Sequence, residues 1–256
     1  MSLLSRPNPI AVGVTRIVLL GVLFVLWEWV AASGLVNPIL IGRPTSIFQF
    51  LYSELLVTGS LLEDFRWTLL GVALAFSLGA IAGILVGLLF AVSPFVEAVL
   101  NPIVTGLNAM PRIALAPLFL IWFGLGLWSK VALGFSLTFF VVLESTIAGA
   151  RSVNPDHLVL ARTLGASRAR IFRTFTVPNA IPTLFSGLRL GLIVALLGVV
   201  GGEVIAAEHG LGQTLAVLAA NFRTSGVFAI IILLAAVGVA VTWIMDLLEA
   251  RLLRWR

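Results

Sequence analysis

The stretch WTLLGVALAFSLGAIAGILVGLLFAV, residues 67–92, decides the class of this protein because it contains no charged residue. About 20 mostly apolar residues let an α-helix cross the hydrocarbon core of a bilayer, and this stretch is longer. In the whole 256-residue chain 60% of the residues are hydrophobic and 11% are charged, against about 25% charged in soluble domains. A soluble protein of this length cannot bury so much apolar surface. The composition therefore predicts an all-α, polytopic membrane protein.

Further apolar stretches bring the expected number of transmembrane helices to about six. They are residues 17–36, 97–120, 129–150, 181–207 and 224–245. The first is expected to be an uncleaved span, with a signal segment cleaved near the small residues 31–34 as the alternative. Between the first two spans, Thr45 or Ser46 is expected to cap a short amphipathic helix that lies along the outer surface.

The basic residues predict which side of the membrane each segment faces. Ten of the 16 lie in three segments that an even number of spans places on one side: Arg6, Arg16, Arg151, Arg162, Arg168, Arg170, Arg173, Arg251, Arg254 and Arg256. Cytoplasmic segments carry such an excess, so both termini are expected in the cytoplasm. The expected organisation is a cytoplasmic arm (1–16), a first span (17–36), an external loop with the short helix (37–66), a core of five spans (67–246) and a basic tail (247–256).

The core includes a basic segment, 151–180, that is expected to stay outside the lipid. Asn154 is a good N-cap for a helix that begins at Pro155, and Asp156 complements the positive end of that helix. The helix is expected to run to Leu164, where Gly165 supplies the left-handed residue that ends it. The residue pattern alone thus predicts a rigid bend in this segment.

A second amphipathic helix is expected to follow the bend. Ser167 can cap it and Pro178 is expected to stop it. Its apolar face would gather Ile171, Phe172 and Phe175, with the arginines on the other side. The alternative is an ordinary basic loop whose arginines reach the lipid headgroups.

The same segment resembles the EAA motif of ATP-binding-cassette (ABC) importer permeases, in which Glu-Ala-Ala precedes a glycine and, further on, Ile-x-Leu-Pro. The second alanine, the glycine, the isoleucine, the leucine and the proline fall on Ala161, Gly165, Phe175, Val177 and Pro178. The glutamate and first alanine fall on Val159 and Leu160, which departs from the motif. Asp156, one turn earlier, is expected to substitute for the glutamate.

Other stretches extend the resemblance to the nitrate, sulfonate and taurine branch of these permeases, which also carries thiamine-precursor pyrimidines, riboflavin and aromatic acids. They are RPTSIF (43–48), MPRIALAPLFLIWFGLG (110–126) and GEVIAAEHGLG (202–212). The resemblance implies a type I importer permease fold (MetI-like) in a bacterial inner membrane. It implies no cofactor on this chain, because ATP and Mg are held by a cytoplasmic ATPase dimer.

The resemblance also implies three kinds of partner: the ATPase dimer, a second copy of the permease, and a periplasmic or lipid-anchored substrate-binding protein. Membrane lipid surrounds such a complex, and no nucleic acid is involved. A coupling helix contacts the ATPase in this family. Carried onto this sequence, the contact falls on Asp156, Ala161, Arg162, Gly165, Ala166 and Arg168.

Charged residues and prolines within the spans are the candidates for the solute pathway or a gate. Arg189 is expected in the pathway, or else as a structural partner of Glu144. Glu203 is expected at the outer mouth, or else in a structural hydrogen-bond network.

Pro111 and Pro117 interrupt the third span and free backbone carbonyls that can face a cavity, or else they only kink the helix without contacting a ligand. Arg112 beside the break can attract an anion. No residue pattern predicts a metal site.

Two other functions compete with that of an importer permease. A membrane-embedded enzyme generally needs clustered His, Asp or Cys, whereas this chain has no cysteine and two distant histidines. An ion-driven secondary transporter commonly has inverted repeats and carboxylates at mid-membrane, and neither is visible. The chain also lacks a Walker-type phosphate loop, so a partner must hydrolyse the ATP.

Overall fold

The computed structural model describes residues 9–37 and 40–252, and every regular element in this part of the chain is a helix. The helices are α1 (Pro9–Ala32), α2 (Pro44–Tyr52), α3 (Ser60–Val92), α4 (Pro94–Asn108), α5 (Ala116–Phe123), α6 (Leu127–Arg151), α7 (Pro155–Thr163), α8 (Arg168–Ile171), α9 (Val177–Ile205), α10 (Leu211–Ala220) and α11 (Thr224–Leu252). Arg6, Arg254 and Arg256, at the ends of the predicted arm and tail, lie outside the described residues.

Five helices are long and apolar enough to cross a membrane, and a broken pair brings the number to six if it counts as one span. The prediction of an all-α polytopic protein is thereby confirmed. Several helices extend past the predicted spans. α3 has 33 residues, or about 50 Å at 1.5 Å each, so its polar first turns extend beyond a hydrocarbon core about 30 Å thick.

The third span is not the continuous helix expected over 97–120. α4 ends at Asn108, a 3-10 turn runs over Arg112–Leu115, and α5 completes the pair at an angle of 84°. Pro111 lies at the break with extended backbone (φ −69°, ψ 98°). Because proline has no N–H and its ring excludes the preceding turn of helix, the break falls on this residue.

Pro178 does not stop the helix before it, contrary to the sequence prediction. α8 continues through a π-helical turn (Phe172–Thr176) into α9, and the Val177 N–H donates to the Phe172 carbonyl. The wider π turn leaves room for the proline ring, which would clash in a regular α-helix. The second amphipathic helix is therefore the first part of a long spanning helix.

The short helix α2 is capped by a residue that the sequence pattern did not indicate. Glu28 of α1 accepts hydrogen bonds from the Thr45 N–H and the Thr45 hydroxyl, both at 3.1 Å. Arg43 occupies the N-cap position and makes no side-chain cap. The expected cap by Thr45 or Ser46 is therefore wrong, because a carboxylate from another helix satisfies the free N–H group.

The larger of two compact units, built on residues 63–216 and the chain from 234 onward, packs α3 and α9 against α6. Glycines set these contacts. A Cβ at Gly198 of α9 would lie 2.8 Å from the Cα of Gly134 of α6. On α3, Gly79, Gly83 and Gly87 face α6 in the same way, where a Cβ would meet Thr138, Phe139 and Thr146. Small residues four apart let membrane helices approach closely.

Candidate functional site: the basic elbow and the buried charges

The bend after α6, here called the basic elbow (residues 154–173), is closed at both ends of α7 by hydrogen bonds. The Asn154 Oδ1 accepts from the Asp156 N–H at 2.9 Å, which confirms the predicted cap. At the other end Gly165 has φ +78°, and its N–H donates to the Arg162 carbonyl at 2.9 Å. The Ala166 N–H donates to the Ala161 carbonyl at 3.0 Å. This pair of bonds is a Schellman motif, so the bend at Gly165 is geometrically defined.

α7 exposes apolar side chains although it is not one of the spanning helices. Val159, Leu160 and Leu164 are 60%, 60% and 77% exposed. Ala161 is 6% exposed and anchors the helix to its own chain, while Asp156 and Arg162 are exposed. An exposed apolar strip with charged neighbours is typical of a surface that a partner covers.

α8 follows with the capping expected from the sequence, because the Ser167 hydroxyl accepts from the Arg170 N–H at 3.3 Å. Ile171 is buried and Phe175 is half-buried, whereas Arg170 and Arg173 are exposed. The predicted division into an apolar and a basic side is therefore confirmed. The helix begins at Arg168, whose side chain lies outside the described part of the structure.

Arg189 of α9 forms ion pairs with α11 rather than with Glu144. One guanidinium nitrogen lies 2.5 Å from the Asp246 carboxylate and 2.6 Å from the Glu249 carboxylate. The two acids are three residues apart and so lie on the same face of α11. Glu144 as a structural partner, one of the two alternatives for Arg189, is therefore wrong, and the arginine instead links the middle of α9 to the last turns of α11.

Glu203 lies at the centre of a buried polar network near the C-terminal end of α9. Its carboxylate lies 2.7 Å from the Lys130 ammonium of α6, and neither side chain is more than 3% exposed. The Thr68 hydroxyl of α3 is 3.0 Å and 2.9 Å from the two carboxylate oxygens, and the Gly212 N–H donates at 3.0 Å. These three groups satisfy a charge that would otherwise be costly to bury in a membrane protein.

The same network holds the turn between α9 and α10. The Lys130 ammonium also donates to the His209 carbonyl at 2.8 Å, and the Leu211 N–H donates to the Thr68 hydroxyl at 2.9 Å. The Asp64 carboxylate accepts from the Gly210 N–H at 2.9 Å. The sequence analysis did not identify Lys130 and Thr68 as partners of Glu203. The available signal was that each is a polar residue within or beside an apolar stretch.

Pro111 and Arg112 lie where the third span is broken, and the Arg112 guanidinium is tethered within its own chain. It donates to the Ser136 carbonyl at 2.9 Å and to the Asn108 carbonyl at 3.2 Å, and it contacts the Asn108 side chain. Its central carbon lies 4.0 Å from the centre of the Phe140 ring. Arg112 thus lies beside the break, and most of its N–H donors are already hydrogen-bonded within the chain.

Comparison with known proteins identifies the family. Residues 79–254 match the model of the binding-protein-dependent transport system inner membrane component. The chain is 34% identical over 239 residues to the formylaminopyrimidine transport permease protein ThiX of Halalkalibacterium halodurans, covering 91% of this chain and 92% of the relative. It is 31% identical over 256 residues to the taurine transport system permease protein TauC of Escherichia coli, covering 98% and 91%.

Other comparisons agree. The putative aliphatic sulfonates transport permease protein SsuC of Bacillus subtilis is 32% identical over 235 residues, covering 92% of this chain and 85% of the relative. Among solved structures, an inward-facing form of the MetNI methionine ABC transporter has a TM-score of 0.67 at 18% identity, covering 78% of this chain and 98% of the other. That similarity shows the MetI-type fold. The chain belongs to the binding-protein-dependent transport system inner membrane component family and is a multi-pass inner-membrane permease subunit of an ABC importer, forming the path by which a solute crosses.

Proposed function

We propose that the basic elbow docks on a cytoplasmic ATPase dimer and transmits its nucleotide-driven movement to the spanning helices. The observation that carries this proposal is the exposed apolar strip on α7, a short helix bounded at both ends by defined hydrogen bonds. α8 continues without a stop into α9, so a displacement at the elbow reaches a spanning helix directly. A rigid connection of this kind lets a partner shift the balance between two arrangements of the spans.

The residues of the elbow would have different roles in this docking. Leu160 and Leu164 would enter the partner surface, and the exposed Arg162 and Asp156 would lie beside them. Gly165 would fix the angle of the bend, with Ala166 and Arg168 following it. Ala161, being buried, would hold α7 to its own chain rather than touch the partner.

The complex would contain two copies of this permease, the ATPase dimer with ATP and Mg, and a substrate-binding protein on the outer side. The segment 151–180 and both termini, with the arm 1–16 and the tail 247–256, would face the cytoplasm. The solute would be a small molecule of the kinds named for the relatives, which include a formylaminopyrimidine, aliphatic sulfonates and taurine.

The four groups assigned to the path or a gate would act in two ways. Pro111 and Arg112 would border the solute path at the break in the third span. Arg189, near the middle of α9, and Glu203, near its C-terminal end, would act through their ion pairs, which hold α9 against α11 and α6.

Substitution of Leu160 tests the docking. Leu160→Asp is expected to abolish co-purification of the ATPase with the permease, because it puts a charge into the apolar strip. Thr174→Asp adds the same charge to an exposed polar position just outside the elbow and should retain the partner. If Leu160→Asp leaves co-purification and ATP hydrolysis by the complex unchanged, the elbow is a basic loop at the lipid surface and the proposal is wrong.

A further inference from the structure

Helix α4 presents three sets of side chains, and one of them packs into an apolar cluster of the described residues. Val96 and Val104 are half-buried against a core cluster of Phe90, Phe140, Leu143 and Ile147. A second face is apolar and exposed, with Phe95, Val99 and Ile103 at 77%, 52% and 58% exposure. This second face is suited to lipid tails.

The third face of α4 is polar. It comprises Glu97, Asn101, Thr105 and Asn108, whose spacings of four, four and three residues place them on one side of the helix. The last three are exposed. Among the described residues, the Asn101 amide and the Thr105 hydroxyl have no hydrogen-bond partner. Polar groups of this kind are costly against hydrocarbon, so this face requires water or another polar surface.

The interrupted backbone that follows the polar face also requires water or another polar surface beside it. Between Asn108 and the turn at Arg112–Leu115 the helix is interrupted, and Met110 and Ile113 are 44% and 65% exposed. Irregular backbone at membrane depth is tolerated where it is buried in protein or lines a water-filled cavity. This break is not buried within its own chain.

We propose that the polar face of α4 lines the water-filled solute path, and that Asn101 and Thr105 bind the passing solute by neutral hydrogen bonds. The proposal deepens the proposed function, since it rests on the solute path assigned above to Pro111 and Arg112. It does not rest on the docking of the elbow.

The charges at the two ends of the face indicate the class of solute. Glu97 is paired with Arg151, and the Arg112 guanidinium is held by Ser136, Asn108 and Phe140. The groups left to meet a solute are an amide, which donates and accepts, and a hydroxyl, which does both. They suit a small polar molecule with hydrogen-bond donors and acceptors. Neutral contacts are also weak enough to release the solute, as a path requires.

Cysteine labelling tests this assignment, and the chain is well suited to it because it contains no cysteine. Asn101→Cys and Thr105→Cys are compared with the matched controls Val99→Cys and Ile103→Cys on the apolar exposed face. Each variant is assembled with its ATPase in membrane vesicles and treated with a charged, membrane-impermeant thiosulfonate. Because only the thiolate reacts and hydrocarbon disfavours its formation, we expect the polar-face variants to react at least about tenfold faster.

Two results would overturn the proposal. One is equal labelling of the two faces, which would place both in lipid. The other is protection of positions 101 and 105 together with disulfide formation between two permease copies, which would make the polar face a contact between copies. Two positions on each face keep the comparison intact if one variant fails to assemble. Co-purification of the ATPase with the unlabelled variants reports on the elbow separately, so a failure of either idea is distinguishable from a failure of the other.

Discussion

At the scale of single residues, the pairing of Lys130 with Glu203 buries two opposite charges together. Both side chains are almost completely removed from solvent, and Thr68 and Gly212 supply the remaining hydrogen bonds to the carboxylate. Such a pair contributes little net stability over an apolar replacement, but removing one partner leaves a buried charge uncompensated. The network therefore makes α3, α6 and the turn before α10 depend on one another.

Lys130→Met is expected to lower the free energy of unfolding by about 3–5 kcal/mol, because it leaves the buried Glu203 carboxylate without a positive partner. The measurement is the thermal unfolding of the purified permease in detergent. Arg151→Met is the control, because it breaks an ion pair with Glu97 in which the arginine side chain is 60% exposed, and such pairs contribute about 0–1 kcal/mol. Equal destabilisation by the two variants would contradict the role assigned to the buried network.

Gly165 is the second residue at which a prediction can be made, because the proposed coupling requires a fixed bend there. Its φ of +78° lies in the left-handed region, although a Cβ there would meet no atom within 4 Å. Gly165→Val therefore introduces strain of about 1–2 kcal/mol without a clash, and we expect it to reduce ATPase co-purification and solute-stimulated ATP hydrolysis. Gly34→Val is the matched control, because Gly34 has φ +74° and equally open surroundings outside the elbow. Full coupling by Gly165→Val would show that the bend need not be rigid.

At the scale of elements, glycines determine how closely the spanning helices approach. Serine and threonine hydroxyls of α6 and α9 bond to carbonyls three or four residues earlier in the chain, as the Thr146 hydroxyl does to the Val142 carbonyl at 2.7 Å. Association of the helices therefore depends on close van der Waals contact, for which a missing side chain is an advantage. Gly134 and Gly198 meet where α6 crosses α9.

Gly198→Ala is expected to destabilise the permease by about 1–3 kcal/mol, because its Cβ would lie 2.8 Å from the Gly134 Cα. Gly201→Ala, on the same helix, meets nothing within 4 Å and should be neutral or stabilise by up to about 1 kcal/mol. Thermal unfolding of the two variants in the same detergent measures the difference. Similar unfolding temperatures for both would show that α6 and α9 can separate at no cost.

At the scale of the whole molecule, the function depends on which ends of the spanning helices face the cytoplasm. α6 has 25 residues, or about 37 Å at 1.5 Å each, which exceeds the hydrocarbon thickness of about 30 Å. Its two ends must then lie on opposite sides of the membrane. The loop before it contains Leu125, and the elbow after it contains Leu164; both are exposed.

Leu125→Cys is expected to react with an impermeant thiol reagent added outside intact cells, whereas Leu164→Cys should react only in inside-out vesicles. The reason is the excess of arginines after α6, from which we expect that segment to face the cytoplasm. The unsubstituted chain, which contains no cysteine, gives the background. The opposite pattern of labelling would place the elbow outside the cell and out of reach of an ATPase.

Much of the elbow could be predicted from the sequence because its structure is local. Asn154, Ser167 and Gly165 each act on residues within a few positions, so the caps and the left-handed turn followed from spacing alone. The stop expected at Pro178 was wrong, since a π turn accommodates a proline and spacing does not reveal that alternative. The break at Pro111 was indicated, but its angle was not.

The sequence by itself determined that this is an all-α membrane protein with a basic bend, because hydrophobicity and length decide insertion and neighbouring residues decide capping. The tertiary structure alone decided the partners of the charged groups. Lys130 and Glu203 are 73 positions apart, and Arg189 and Glu249 are 60 apart. Residues so far apart in the chain have no helical spacing from which their contact could be predicted. Their pairing follows from how the helices pack, and packing depends on glycine contacts that form only when the whole unit folds.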